Sequence, residues 1–366
     1  MWHPVPVPSR PCRPVVVVVT RWLCVGSYSD ESAPGLHLYE FSPDAAATHA
    51  ASVTGLANPS FIVGRPDIGM IYAVNETDPP GGISAVRLRQ GRFTLLGTVD
   101  GVGGAPCHIA SVGATVLTAN YSSGGVAMHA LNVDGTVGDL VGHDVPTGSG
   151  PHWRQESSHL HCVVPHPDGS CCYVADLGTD RILRYNLRVE DGQGGIELDG
   201  STSLEPGSGP RHLVFHPHDP LAAVVCELDA TVRLFDVDPH SGDLSQRCTL
   251  STLPVGEGID VLPAAVQFHP SGRHLYVSNR GHNSIATYAC GPGGESFALT
   301  AHVDCAGATP RDIAIDATGN WMVVANQDAD SVDLFAIDPH SGVPFWVRQL
   351  AVVAQPTCVM FFEEDE

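Results

Sequence analysis

The sequence predicts an all-β fold, a seven-bladed propeller of four-stranded antiparallel blades, and three observations carry that reading. A single grammar of short apolar strands recurs about every 50 residues, turn-forming residues are abundant, and one repeat is split between the two ends of the chain. Gly and Pro number 39 and 29 of 366 residues, about a fifth of the chain against an ordinary usage of about an eighth, which calls for many turns and few long helices. With 43% apolar and 16% charged residues, the chain can bury a large core.

Each unit runs from a Pro or polar start through an apolar strand, a turn, a second apolar strand ending in polar residues, and a third strand. Units begin near Asn58, Ala105, His159, Gly209, Pro263 and Thr309, at intervals of 47, 54, 50, 54 and 46 residues. That period, with several short strands per unit, is the signature of propeller blades. The pentapeptide Asp-Pro-His-Ser-Gly recurs at 238–242 and 338–342, two units apart. A seventh start at 355–361 stops after one strand, and the segments 23–28 and 35–39 supply the strands it lacks. The termini therefore close the seventh blade together, which uses up otherwise exposed sheet edges. No Trp-Asp dipeptide occurs, so the chain does not resemble a WD40 array. Residues 1–22 read as a Pro-rich extension, 23–362 as one propeller domain whose blades bury their faces only against neighbours, and 363–366 as an acidic tail.

The net charge is −22, and all eighteen basic residues are arginine. The absence of lysine excludes a lysine Schiff base, a pyridoxal-phosphate site and a P-loop. An acidic chain without a basic run has no means of releasing counterions from nucleic acid, so no such partner is expected. The longest apolar runs, such as 15–19, fall far short of the ~18 residues of a membrane-spanning helix, and no membrane partner is expected. Eleven cysteines, mostly single within apolar runs, fit free thiols in a reducing compartment. Arg10, Arg13 and a valine run faintly suggest a secretory signal, but Arg21 interrupts it without a small-residue cleavage site. The expectation is a cytoplasmic protein.

Within each unit the first two strands form an antiparallel hairpin, with turns such as His166-Pro167-Asp168-Gly169 and His269-Pro270-Ser271-Gly272. Such a pair places the start of its first strand beside the end of its second, so these positions from all blades should line one rim of the channel. First-strand starts offer His108, His159 with His161, Arg211 with His212, and Arg311 with Asp312. Second-strand ends offer Asn75 with Glu76, Asn120, Asp176, Glu227, Asn279 with Arg280, and Asn326 with Gln327. Guanidinium groups bind carboxylate or phosphate bidentately and can stabilise an oxyanion, while an imidazole or carboxylate beside them can act as a general base. That chemistry fits hydrolysis or formation of an anionic ester or lactone.

Each candidate also has a structural reading. Asn75, Asn120 and Asp176 stand where such residues cap turns. His166, His216 and His269 repeat across blades and read as scaffold. His159 and His161 point the same way and could begin a metal site, but no third ligand follows at a convincing spacing, so neither metal nor other cofactor is expected. Cys171 and Cys172 face opposite sides of a strand and read as packing. Arg211 and Glu227 could be an ion pair between blades.

At these residues the chain resembles the seven-bladed propeller lactonase family, which contains the propeller type of 6-phosphogluconolactonase and the fungal carboxy-cis,cis-muconate cyclases. The resemblance covers about residues 23–361. It rests on Arg154-Gln155-Glu156 with His159-Leu160-His161, the run from Asp176 to Arg181, Gly209-Pro210-Arg211-His212 with Glu227, Ser278-Asn279-Arg280-Gly281, and Pro310-Arg311 with Ala325-Asn326-Gln327. It implies an active-site set of His161, Arg211, Glu227 and Arg280. The chain departs from the family at Ser158-His159, where Pro-His is usual, and in its long amino-terminal extension.

The resemblance implies a metal-independent lactonase that hydrolyses 6-phospho-D-glucono-1,5-lactone to 6-phosphogluconate in the oxidative pentose phosphate pathway. Arg211 and Arg280 would hold the anionic group or carbonyl oxygen, and Glu227 or His161 would activate water. His159, Arg311, Asn326, Gln327, Glu76, Asn120 and Asp176 are expected to bind substrate, and the protein to be a monomer or weak homodimer. Two alternatives remain at this point: a lactonizing cycloisomerase acting on a carboxymuconate, and a non-catalytic binding platform. Rim positions that differ from blade to blade while scaffold positions repeat favour a site over a platform.

Overall fold

The repeat becomes seven four-stranded antiparallel sheets in the structure, a computed structural model that describes residues 19–190, 193–256 and 261–365. Blades 1 to 6 follow one another along the chain. Their first strands are Ile62–Arg65, Pro106–Val112, Leu160–Pro165, Pro210–Phe215, Leu262–Phe268 and Pro310–Ile315, each touching the first strand of the next blade around the axis. The last strand of the chain, Pro356–Asp365, is the first strand of blade 7 and pairs antiparallel with Val19–Ser27, which continues through Leu36–Phe41 to Ala47–Val53. Both termini thus close the ring, as the split repeat predicts.

The second strands of blades 1 to 4 are buried at every position, because each blade is sandwiched between two others. Successive side chains go to opposite neighbours. Met70, Tyr72 and Val74 pack toward blade 2, while Ile71 and Ala73 pack toward blade 7. The same alternation sends Tyr173 and Cys171 toward blade 4, and Cys172 and Val174 toward blade 2. The described residues form one apolar cluster at each of the seven blade interfaces.

The ends of the domain differ from the expected bounds. The strand of blade 7 begins at Val19, and Trp22 belongs to the core between blades 7 and 1. At the other end Glu363 and Glu364 lie within a strand rather than a tail, since Thr20 and Arg21 pair with them across the sheet. Glu364 accepts hydrogen bonds from the Trp22 indole (3.0 Å) and the Gln90 backbone (2.8 Å), which gives an acidic pair a reason to be ordered. The remainder of the Pro-rich extension lies outside the described residues.

The turns joining first and second strands carry the expected scaffold histidines. His216 bonds the Gly272 carbonyl of the next blade, and His269 bonds that of Gly319, both at 2.9 Å. The repeated pentapeptide connects the third and fourth strands of blades 4 and 6. Asp238 and Asp338 cap its backbone, and Gly242 and Gly342 adopt φ near +70° while accepting the Tyr173 and Tyr276 hydroxyls of the preceding blades.

Candidate active site

The channel-lining side chains owe their direction to an irregularity shared by blades 2 to 7. Each first strand opens with a regular pair, such as Pro106 with Asn120, Pro210 with Cys226 or Pro310 with Asn326, and the register then slips. The unpaired residues are Cys107, His161, Arg211, Ala264 with Ala265, Arg311 and Thr357. A bulge of this kind re-aims a side chain, and here it presents His161, Arg211 and Arg311 to the mouth, whereas blade 5 carries two alanines at the same place.

The second-strand ends sort by parity. Tyr28, Glu76, Tyr121, Glu227, Arg280 and Gln327 converge on the mouth, and the residues immediately before them face into the blade. Asn120 donates to the Gly125 carbonyl (3.1 Å), and Asn326 donates to the Cys305 carbonyl (2.9 Å) and Asp333 (3.0 Å). Asp176 accepts from the His159 and Gly178 backbone and from Ser158 and Thr179. Asn75 accepts from Ser84 and Asn279 donates to the Thr252 carbonyl. The structure therefore places Asn120, Asp176 and Asn326, expected as substrate ligands, in the blade scaffold, where they bond neighbouring backbone and side chains of the blades, although Asn326 Oδ1 is left without a partner among the described residues.

Of the other predicted residues, Arg211 and Arg280 meet at Glu227. Its Oε2 lies 3.1 Å from Arg211 Nε and 2.9 Å from Arg280 Nη2, and its Oε1 accepts from Arg154 Nη1 at 2.5 Å. Arg211 and Glu227 side chains are each only 2% exposed, whereas Arg154 and Arg280 open to the mouth. Backbone carbonyls fix the fan of guanidinium groups: Arg211 donates to Ala264 (2.6 Å) and Arg280 to Leu262 (2.9 Å). On the other side of the mouth Arg311 donates to the Tyr28 hydroxyl (2.8 Å) and to Gln327 Oε1 (3.3 Å), and Tyr28 donates to Glu76 Oε1 (3.0 Å).

His161 is buried between these groups. Its Nδ1 stands 3.8 Å from the Cys107 sulfur, and Nε2 has no protein hydrogen bond among the described residues. Tyr121 sits between the two histidines, stacked on His159 at 4.6 Å and edge-on to His161 at 5.6 Å. His159 is further held by the Tyr121 carbonyl (2.9 Å) and Glu156 (3.4 Å), at the rim rather than within the arginine cluster.

Below the cluster, Phe61 of blade 1, His108 of blade 2 and His212 of blade 4 meet on the axis. Phe61 stacks on His108 at 4.1 Å and lies 5.7 Å from His212, so side chains from opposite sides of the ring touch. The site is a cup with an aromatic floor. Asp312, one residue past Arg311, turns away to accept the Val359 amide (3.0 Å), and burial pushes its carboxyl up to about 6.

The electrostatics follow from this packing. Burial works to raise the Glu227 carboxyl, but Arg280 and Arg211, with His161 and Arg154, outweigh it and hold the group well below the carboxylate range. Burial, then the neighbouring Arg280, lowers Arg211 to about 9, so it stays charged at neutral pH. Burial and Arg211 drive His161 well below the usual imidazole value, which leaves it neutral. Burial first, and Arg211 second, lower His108 to about 3, so the floor is uncharged as well. Among the described residues four guanidinium groups face two carboxylates at the mouth, a local excess of positive charge in a molecule of net charge −22.

Arg154, Tyr28, Tyr121 and Cys107 belong to the mouth although the expected site did not include them. Tyr28 occupies the second-strand end of blade 7 and Tyr121 that of blade 2, so the rim rule carried one residue further reaches both. Arg154 comes from the loop over residues 145–159, which leads into the first strand of blade 3. Buried Gln155 anchors that loop by donating to the Leu177 carbonyl (2.7 Å) and Asp180 (2.8 Å).

Residues 22–361 match the family described as "Lactonase, 7-bladed beta-propeller". The chain is 30% identical over 345 residues to the 6-phosphogluconolactonase of Bacillus subtilis, covering 93% of this chain and 98% of that protein. Among solved structures, the periplasmic gluconolactonase of Pseudomonas aeruginosa superposes with a TM-score of 0.86 at 28% identity, covering 94% of this chain and 99% of the other. A Bacteroides uniformis structure provisionally named 6-phosphogluconolactonase gives a TM-score of 0.87 at 31% identity, covering 93% and 99%.

Proposed function

This chain belongs to the seven-bladed β-propeller lactonase family, and on that premise we propose that it hydrolyses a phosphorylated sugar lactone, 6-phospho-D-glucono-1,5-lactone, to the open-chain acid. The observation that carries the reading is the fan of Arg154, Arg211 and Arg280 around Glu227 beside a neutral His161. The name of the Bacillus subtilis relative supports the choice of substrate.

In this reading Arg211 and Arg280 receive the lactone carbonyl oxygen and hold the negative charge that grows on it when water attacks. His161 accepts the proton of that water through Nε2. Glu227 is too strongly stabilised as a carboxylate to be an effective base, and its part is to fix the three guanidinium groups in one orientation. Burial depresses His161 first and the Arg211 charge second; an anionic substrate offsets the second of these, which moves the imidazole toward the range a base needs. When the tetrahedral intermediate collapses, the ring C–O bond breaks and the imidazolium returns its proton to the leaving ring oxygen. Atoms balance as lactone plus water giving hydroxy acid.

The ten cysteines among the described residues are free thiols, which supports function in a reducing compartment such as the cytoplasm. Among those residues no helix is long and apolar enough to cross a membrane.

The test is a substrate panel of phosphorylated and plain sugar lactones and carboxymuconates, with lactone loss measured above its spontaneous rate. Acceleration on the phosphorylated lactone, cut by roughly 10²- to 10³-fold in Arg211→Ala, is the expected result. Turnover of a carboxymuconate with none of the sugar lactones would replace this reading with the cycloisomerase.

A further inference from the structure

The mouth has two halves, and their arginines differ in what neutralises them. Arg154, Arg211 and Arg280 share the carboxylate of Glu227, the one carboxylate that pairs with them among the described residues. Arg311, on the half built by blades 6, 7 and 1, has no carboxylate within ion-pair distance among the described residues. Its acceptors are neutral: the Tyr28 hydroxyl at 2.8 Å and the Gln327 side-chain carbonyl at 3.3 Å. The Tyr28 ring also lies 5.2 Å from the guanidinium carbon. A guanidinium has five N–H donors, and these two bonds use two of them.

Glu76 does not fill the gap. Its oxygens take the hydroxyls of Tyr28 (3.0 Å) and Ser60, so it stands one side chain removed from Arg311 and acts by fixing Tyr28. Because Tyr28 spends its proton on Glu76, its oxygen can only accept from Arg311, and the fork is held in one plane. Arg311 itself is partly exposed to the mouth. Burial opposes its charge, but Tyr28, Glu76 and Glu227 offset that cost, so it remains a cation.

Resting on the lactonase reading above, we infer that Arg311, oriented by Tyr28 and Gln327, is the seat of the substrate's phosphate and sets the preference for a phosphorylated lactone. The division of labour follows from charge. A phosphate carries nearly two negative charges and binds best where an oriented guanidinium lacks a carboxylate partner. At the other half the same dianion would compete with Glu227 for groups the chemistry needs at the carbonyl.

The experiment compares kcat/KM of the wild type, Arg311→Met and Arg311→Lys on 6-phospho-D-glucono-1,5-lactone and on unphosphorylated D-glucono-1,5-lactone, corrected for spontaneous opening. The wild type should prefer the phosphorylated lactone. Arg311→Met should shrink that preference by roughly 10- to 100-fold, mainly through KM, as expected for one lost charge-assisted contact. Arg311→Lys, which keeps the charge but loses the fork, should fall between. Inorganic phosphate should inhibit the wild type competitively and inhibit Arg311→Met more weakly. If Arg311→Met does not fold, Tyr28→Phe serves instead, with a several-fold loss of preference expected. Equal losses on both lactones, or a wild type without preference, would overturn the seat while leaving the lactonase intact. A wild type that opens neither lactone would overturn the functional reading itself.

Discussion

The two ends of this toroid are made from the same seven repeats and are built on opposite rules. At the closed end, chemistry repeats with the backbone: turn histidines reach the next blade's glycine carbonyl, and Tyr173 and Tyr276 reach the two copies of one pentapeptide. At the mouth the backbone repeats and the chemistry does not. One bulge position carries cysteine, histidine, arginine, alanine, arginine and threonine in turn. Identical contacts between neighbours need identical residues, so repetition marks scaffold. Different side chains on one repeated backbone position have no such structural reason, and they mark the site.

The severest way to break the mouth is to remove its one shared anion. Glu227→Gln leaves three guanidinium groups facing one another without the carboxylate they share among the described residues. Loss of one partner from a buried charge set costs about 3–5 kcal/mol, which should appear as a lower midpoint of urea unfolding. Because each oxyanion donor is worth about 10²–10³ and the change disturbs several at once, kcat/KM should fall on the order of a thousandfold or more. A variant as stable and active as the wild type would mean that the arginines hold their positions without Glu227.

His161 comes next, and its pH dependence separates it from Glu227. The imidazole must be neutral to accept a proton, so activity falls as pH drops through its pKa. Burial and Arg211 hold that pKa well below 6.5, so the acid limb of kcat/KM in the free enzyme should lie well below 6.5, with a flat profile at neutral pH. His161→Asn should lower kcat by roughly a hundredfold or more and abolish that limb. An acid limb at or above 6.5, or one that survives in His161→Asn, removes His161 as the base.

Sequence reading reached the repeat, the split seventh blade and the rim, because all three are periodic and local. The same periodicity together with the resemblance singled out His161, Arg211, Glu227 and Arg280, and the fold brings these four to one mouth. Single-residue parity was harder. In blade 2 the rim rule selects His108, but the bulge residue is Cys107, and His108 stacks on Phe61 at the floor. A slip of one residue along a strand exchanges faces, and a bulge shifts the count by one without a sequence mark. Arg154 stood in a motif of the resemblance but received no site role for a different reason: it reaches Glu227 across 73 positions of sequence, from a loop outside the strand-end rule. Only folding brings it there.

Parity also offers a finer test within a single strand end. Asn326 and Gln327 are neighbours, yet Asn326 braces the blade through Cys305 and Asp333 while Gln327 holds Arg311. Asn326→Ala should cost about 1–3 kcal/mol by leaving buried acceptors unpaired. Gln327→Ala should cost less stability and more preference for the phosphorylated lactone. A reversal of that pattern, read from unfolding midpoints and paired kinetics, would break the distinction between the inward and outward positions.

The smallest effect belongs to the closed end. Tyr276→Phe removes only the hydroxyl that reaches Gly342 at 2.8 Å, a net loss of about 0.5–1.5 kcal/mol, and should leave kcat/KM within about twofold because nothing at the mouth moves. Tyr173→Phe makes the equivalent change between blades 3 and 4, where a separate apolar cluster lies. Because each cluster joins only neighbouring blades, the two losses should add to within about 0.5 kcal/mol in the double variant. Strong coupling between them would show that strain travels around the ring, and a mouth built from seven blades would then feel changes made at the far end.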